Sequence, residues 1–160
     1  MKEVAILLLA TLLLNGCGGS NNTTTQTAAG GIWQAQMLGG TACCLSFIAQ
    51  FTVNGDGSLS ISNFQFLTHD SASCFPVTGG TESGTMILTE NQTNFTVTGT
   101  FTFSVQSGSN TLSLTGTVTG TENGLNGTTL SGASITGFWT LAGGTGCNDT
   151  TGGSFTMTQS

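Results

Sequence analysis

The chain has almost no positive charge. Lys2 is its single Lys or Arg, against seven Asp and Glu, and charged residues make up 5% of 160, where an average soluble protein has roughly a quarter. Phosphate backbones and anionic lipid are gripped by Lys and Arg. Their scarcity rules against nucleic-acid binding and against electrostatic adhesion to anionic membranes. Removing a leader leaves the net charge at −6, because Lys2 and Glu3 cancel. Proline is confined to Pro76 and histidine to His69. Long apolar runs are lacking too: none after residue 14 approaches the ~20 residues a spanning helix needs. Polarity is carried instead by Thr, Ser, Asn and Gly, which favour strands and turns over helices. Phe, Leu and Val interspersed among them argue against disorder.

The one apolar run lies at the start. Lys2 gives a short basic beginning, weakened by Glu3, and Val4–Leu14 follows as about 11 apolar-rich residues, roughly 16 Å as a helix. That is too short to span a bilayer and suits a signal peptide. Leu14-Asn15-Gly16-Cys17 comes next. These four residues resemble a bacterial lipobox, with Asn15 departing from the commonest residue at its place. The resemblance implies diacylglycerol on the Cys17 thiol, cleavage before Cys17, and acylation of the new amine, by palmitate for example. An ordinary secretory signal with an incidental cysteine is the alternative. The implied plan is a signal peptide at 1–16, a lipidated cysteine and flexible tether at 17–30, and a single all-β domain at 31–160. The tether, "GGSNNTTTQTAAG", has a mean reach of roughly 20 Å as a Gly-rich coil. Gly18 stands where Asp would resemble an inner-membrane retention signal, so the expected location is the outer membrane, on either its periplasmic or its surface side.

Cysteine arithmetic agrees with lipidation. Five cysteines would leave one over in an oxidising compartment. Setting Cys17 aside leaves Cys43, Cys44, Cys74 and Cys147, an even number that suits two disulfides. A bond between the adjacent Cys43 and Cys44 would be strained, so each is expected to reach a distant partner. The absence of CxxC and the single histidine count against a metal site.

From Ile32 onward the pattern has period two. In "NFTVTGTFTFSVQ", Phe95, Val97, Gly99, Phe101, Phe103 and Val105 share one face and Thr96 to Ser104 alternate on the other, as in a half-buried strand. Leu112, Leu114, Gly116, Val118 and Gly120 repeat this, as do Leu45, Phe47, Ala49, Phe51 and Val53. The parity shift from Leu59 and Ile61 to Phe64 and Phe66, at Ser62–Asn63, predicts a β-bulge. Eight strands are expected, near 31–38, 44–54, 58–68, 82–89, 94–106, 111–121, 129–142 and 153–159. "NGDGS" at 54–58, "SGSN" at 107–110 and "ENGLNG" at 122–127 supply turns. Pro76 falls in a long connection at 69–80 that needs no ladder bond. Long strands, short turns and mid-strand glycines on the apolar face (Gly99, Gly116, Gly120, Gly137) favour an up-and-down meander closing into a small β-barrel. A β-sandwich is the alternative.

"GIWQAQML", "FTVNGDGSLSISNF" and the closing "SFTMTQS" give the domain a faint likeness. They resemble the layout of streptavidin-like and lipocalin-like small barrels, in which a Gly-x-Trp strand opens the chain and a last short strand pairs with it. The Gly/Thr-rich style also looks like that of uncharacterised small bacterial lipoproteins. The streptavidin-like resemblance does not extend to biotin: those sites use a Tyr and several Trp, and this chain has no Tyr and only Trp33 and Trp139.

Chemical candidates are thin. His69-Asp70 pairs a base with a carboxylate, but no Gly-x-Ser-x-Gly and no basic oxyanion donor accompany it, and an exposed polar pair is the plainer reading. The acids are dispersed at strand ends and turns, unlike the carboxylate pair of a glycosidase. "NGDG" and "CNDT" lack the acidic density of a calcium loop. No metal, cofactor or catalytic group is expected. Inward aromatics remain. Trp33, Phe47, Phe51, Phe101, Phe103 and Trp139, with Phe64, Phe66, Phe95 and Phe155, either fill the barrel or line one apolar-ligand cavity. The expected function is therefore a lipid-anchored, non-catalytic structural or interaction module of the cell envelope. A small apolar-ligand barrel is the alternative, and a hydrolase comes third. Expected partners are the membrane, through the lipid, and an envelope protein or apolar small molecule.

Overall fold

The computed structural model describes residues 29–39, 45–68, 75, 80–91, 93–123, 129–143 and 152–160. Eight strands follow in chain order: β1 (Gly31–Leu38), β2 (Ser46–Val53), β3 (Leu59–Thr68), β4 (Thr81–Asn91), β5 (Thr96–Ser107), β6 (Asn110–Asn123), β7 (Thr129–Ala142) and β8 (Gly152–Gln159). They form one antiparallel sheet in the order β3-β2-β1-β8-β7-β6-β5-β4. Sequence neighbours pair, and β8 returns to β1 with Met37 opposite Phe155. The two edge strands approach at a seam. There Ser58 bridges to Thr85, and the Met86 N–H donates to the Gly57 carbonyl at 2.8 Å. The architecture is a nearly closed up-and-down barrel, and a single continuous sheet replaces the sandwich alternative.

Alternation builds the core. In β5, Val97, Phe101, Phe103 and Val105 are buried while Thr98, Thr100 and Thr102 are exposed. Trp33, Phe47, Phe51, Phe66, Trp139 and Phe155 complete the filling from other strands. Apolar side chains point in and threonines point out. A membrane-spanning barrel has the inverse arrangement, with an apolar outer band.

The parity shift of β3 is a bulge. Ile48 pairs with Gln65 and Gln50 with Ser62, so Ala49 faces both Asn63 and Phe64. Asn63 takes the left-handed conformation (φ 52°), which Asn tolerates better than most residues. The extra residue turns Phe64 inward, where its ring meets Phe47 at 5.1 Å and Phe66 at 5.0 Å.

Glycines sit where neighbouring backbones crowd in. A β-carbon on Gly137 would lie 2.1 Å from the Thr115 carbonyl oxygen and 2.5 Å from the Gly116 Cα, far inside any real contact. Gly99 and Gly116 are similarly hemmed by the carbonyls of Ile87 and Thr136. Gly120 is looser, with Ala133 at 3.4 Å, beside a second bulge where Thr119 pairs with Ser134 and Thr121 with Ser131.

One inward assignment is corrected. Phe95 is not on the inner face of β5. It precedes the strand in the β4–β5 turn, has φ 55° and is 51% exposed. The left-handed residue breaks the alternation, so parity counted backward from Val97 fails at this position.

Strand direction divides the barrel ends. At one, the loop end, β1, β3, β5 and β7 finish and their successors begin. At the other, the floor, lie the start of β1, the end of β8, the 54–58 turn and the β4–β5 turn.

Candidate functional site

The six candidate cavity residues converge inside the barrel. β2 contributes Phe47 and Phe51, and β5 contributes Phe101 and Phe103; all are at most 2% exposed. Their rings form one network. Phe47 stacks on Phe103 with centroids 5.2 Å apart, Phe51 meets Phe103 at 5.7 Å and Phe101 at 6.1 Å, and Phe101 reaches Phe155 at 6.3 Å. These separations are those of packed aromatic pairs.

The two tryptophans mark the ends of this core. Near the floor, the Trp33 indole N–H donates to the Ala29 carbonyl at 2.9 Å, and both residues are fully buried. Near the loop end, the Trp139 N–H donates to the Leu38 carbonyl at 3.2 Å. Both indole donors are thus engaged by backbone. Phe75, in the β3–β4 connection, is 3% exposed and packs on Phe66 at 5.5 Å.

The two carboxylates of β4 are separated. Glu82 and Glu90 both fall on the inward parity of β4, at opposite ends. Eight residues of strand put about 27 Å between them, well beyond the roughly 5–9.5 Å of a glycosidase pair. Asp56 belongs to the β2–β3 turn. Its Oδ1 accepts from the Ser58 hydroxyl at 2.6 Å and the Ser58 N–H at 2.9 Å. These two bonds, the side-chain one first, hold its carboxyl below the ordinary value. Asn54 reinforces the turn, donating to the Ser58 hydroxyl at 2.9 Å. The "NGDG" stretch is a hairpin turn whose last residues fasten the barrel seam.

Cys17, Cys43, Cys44, Cys74, Cys147, His69 and Asp70 lie outside the described residues.

One surface feature was missed by the sequence reading. An open groove of about 800 Å³ runs over the outer wall of β5 to β8, lined by Leu38, Phe138 and threonines including Thr115, Thr117 and Thr136. Phe138 is 74% exposed. The signal lay in "GFWT", where two adjacent aromatics cannot both face inward on a strand.

Comparison with protein-family models, with curated proteins and with solved structures found no match.

Proposed function

We propose that this chain is a lipid-anchored protein of the cell envelope, held by acyl chains on Cys17, whose barrel is a non-catalytic structural or interaction module. The observation that carries this reading is the ordered run of Lys2, apolar Val4–Leu14, Leu14-Asn15-Gly16-Cys17 and a Gly/Thr/Asn tether. Two acyl chains hold a protein stably where one is marginal. The outer membrane is the proposed location, from Gly18.

The barrel topology is in keeping with display on a tether. The chain joins the barrel at the floor through Ala29. The connections containing Cys43 and Cys44, Cys74, and Cys147 follow β1, β3 and β7, and all leave from the loop end. The even number of cysteines left after Cys17 suits two disulfides in an oxidising compartment. The ring contacts among Phe47, Phe51, Phe101 and Phe103 favour a filled interior over the apolar-ligand reading.

Fractionation of wild type and Cys17→Ser tests the anchor: the variant should leave the membrane fraction, and unchanged association would defeat the reading. Mass spectrometry of organic extracts from the purified protein tests the role of the interior. A reproducible stoichiometric apolar ligand would transfer the function to the ligand-binding alternative.

A further inference from the structure

The chain is fixed firmly to the barrel floor. Ala29 is fully buried and accepts from Trp33, and the Gly30 carbonyl accepts from the Gln159 side-chain amide at 2.5 Å. Only about 12 residues, 17–28, separate Cys17 from this fixed point. They reach roughly 20 Å as a coil and about 40 Å fully extended. At the same end the β4–β5 turn presents Phe95, half exposed. Single exposed apolar residues are ordinary, but a left-handed backbone at Phe, φ 55°, is an outlier for a bulky residue. Such conformations persist where their surroundings enforce them. Here the Asn94 side chain accepts from the Thr96 N–H at 3.2 Å and hydroxyl at 2.7 Å, and Asn91 accepts from the Thr93 N–H at 3.0 Å. The turn is built to hold the ring outward.

We propose that Phe95 rests in the interfacial layer of the bilayer that anchors the chain, fixing the floor toward the membrane and the loop end away from it. This rests on the lipid-anchor reading. A short tether keeps the floor at high effective concentration near the lipid, so one ring suffices for a contact that would not bind alone. Asp56, Glu90 and Glu122 lie at this end, so the contact is apolar and favours neutral over anionic lipid.

The test uses the mature lipidated protein in phosphatidylcholine vesicles carrying bromine on shallow acyl carbons. Trp33 and Trp139 are at most 1% exposed, so wild type sets the baseline. Phe95→Trp should add a blue-shifted emission that brominated lipid quenches and that weakens when anionic lipid is added. Phe138→Trp, on the barrel wall, should add emission that is not quenched. Equal quenching of the two variants overturns the inference. Intact mass on the same sample reads the acyl chains. Acyl chains present with no quenching at position 95 overturn this inference alone; acyl chains absent overturn the anchor reading and this inference with it. A blue shift without vesicles that grows with protein concentration assigns Phe95 to a contact between copies, and also overturns it. Hydrogen exchange on wild type gives a variant-free readout: the 93–96 amides gain protection on reconstitution, and unchanged exchange contradicts the proposal.

Discussion

Trp139 and Gly153 face each other across β7 and β8, and the indole lies so close over the glycine that a β-carbon there would meet its Nε1 at 2.8 Å. The same β-carbon would lie 2.1 Å from the Leu38 carbonyl oxygen, which is the acceptor of the Trp139 N–H. The glycine is what lets an aromatic ring cross one strand to bond the next.

Gly153→Ala should therefore destabilise the barrel by about 2–3 kcal/mol, toward the upper end for overpacking, because the conflict is with backbone. Gly137→Ala should do the same. Gly55→Ala is the control: nothing lies within 4 Å of its added carbon, and the change should stay within about 0.5 kcal/mol. Denaturant unfolding of the three variants measures this.

Core and turn phenylalanines should separate cleanly. Phe101 is fully buried and rings with Phe51, Phe103 and Phe155, so Phe101→Ala should cost about 3–5 kcal/mol. Phe95→Asn puts a residue tolerant of left-handed backbone into a left-handed turn, relieving strain worth roughly 1–2 kcal/mol at most. Its unfolding midpoint should equal or exceed wild type. A large loss at position 95 would show that the ring serves the core.

Acid should loosen the seam. The folded carboxyl of Asp56 is depressed by its bonds from Ser58, and its ordinary value is 3.8. Its contribution is therefore complete above the unfolded value and is lost as pH falls below 3.8 through the lower folded value. Ser58 is also the residue that bridges to Thr85. Protection of the Met86 amide, bonded to Gly57, should fall across that window in wild type. Asp56→Ala should show lower protection at neutral pH and no such step.

The period-two pattern made most of this fold legible. Strands, the turns at 54–58 and 107–110, the Ser62–Asn63 bulge and the crowded glycines Gly99, Gly116 and Gly137 all follow from residues close in sequence, while most of the expected 122–127 turn lies outside the described residues. The seam did not: Ser58 and Thr85 meet only because seven strand pairings curl the sheet round. Nor did the acceptors of the indole N–H groups, one of them, Leu38, on the far side of β8 from Trp139. Phe95 was misplaced because alternation was carried into a turn, where one left-handed residue resets the facing. For the interior candidates, the alternation marked residues that are buried and could not tell filling from lining, since both need the same apolar parity.

Thiol state tests the loop end. Cys43, Cys44, Cys74 and Cys147 should resist alkylation in the exported protein until reduced, and non-reducing peptide maps should join the connections that follow β1, β3 and β7. Reduction should lower stability by about 2–4 kcal/mol per bridge. Four freely alkylated thiols would contradict the disulfides.

Intact and peptide mass spectrometry of the protein extracted from native membranes tests the anchor most directly. The expected product is a mature chain beginning at Cys17 and carrying a diacylglyceryl thioether, with or without an amide-linked acyl chain. An unmodified Cys17, or a chain cleaved elsewhere or not at all, would contradict it.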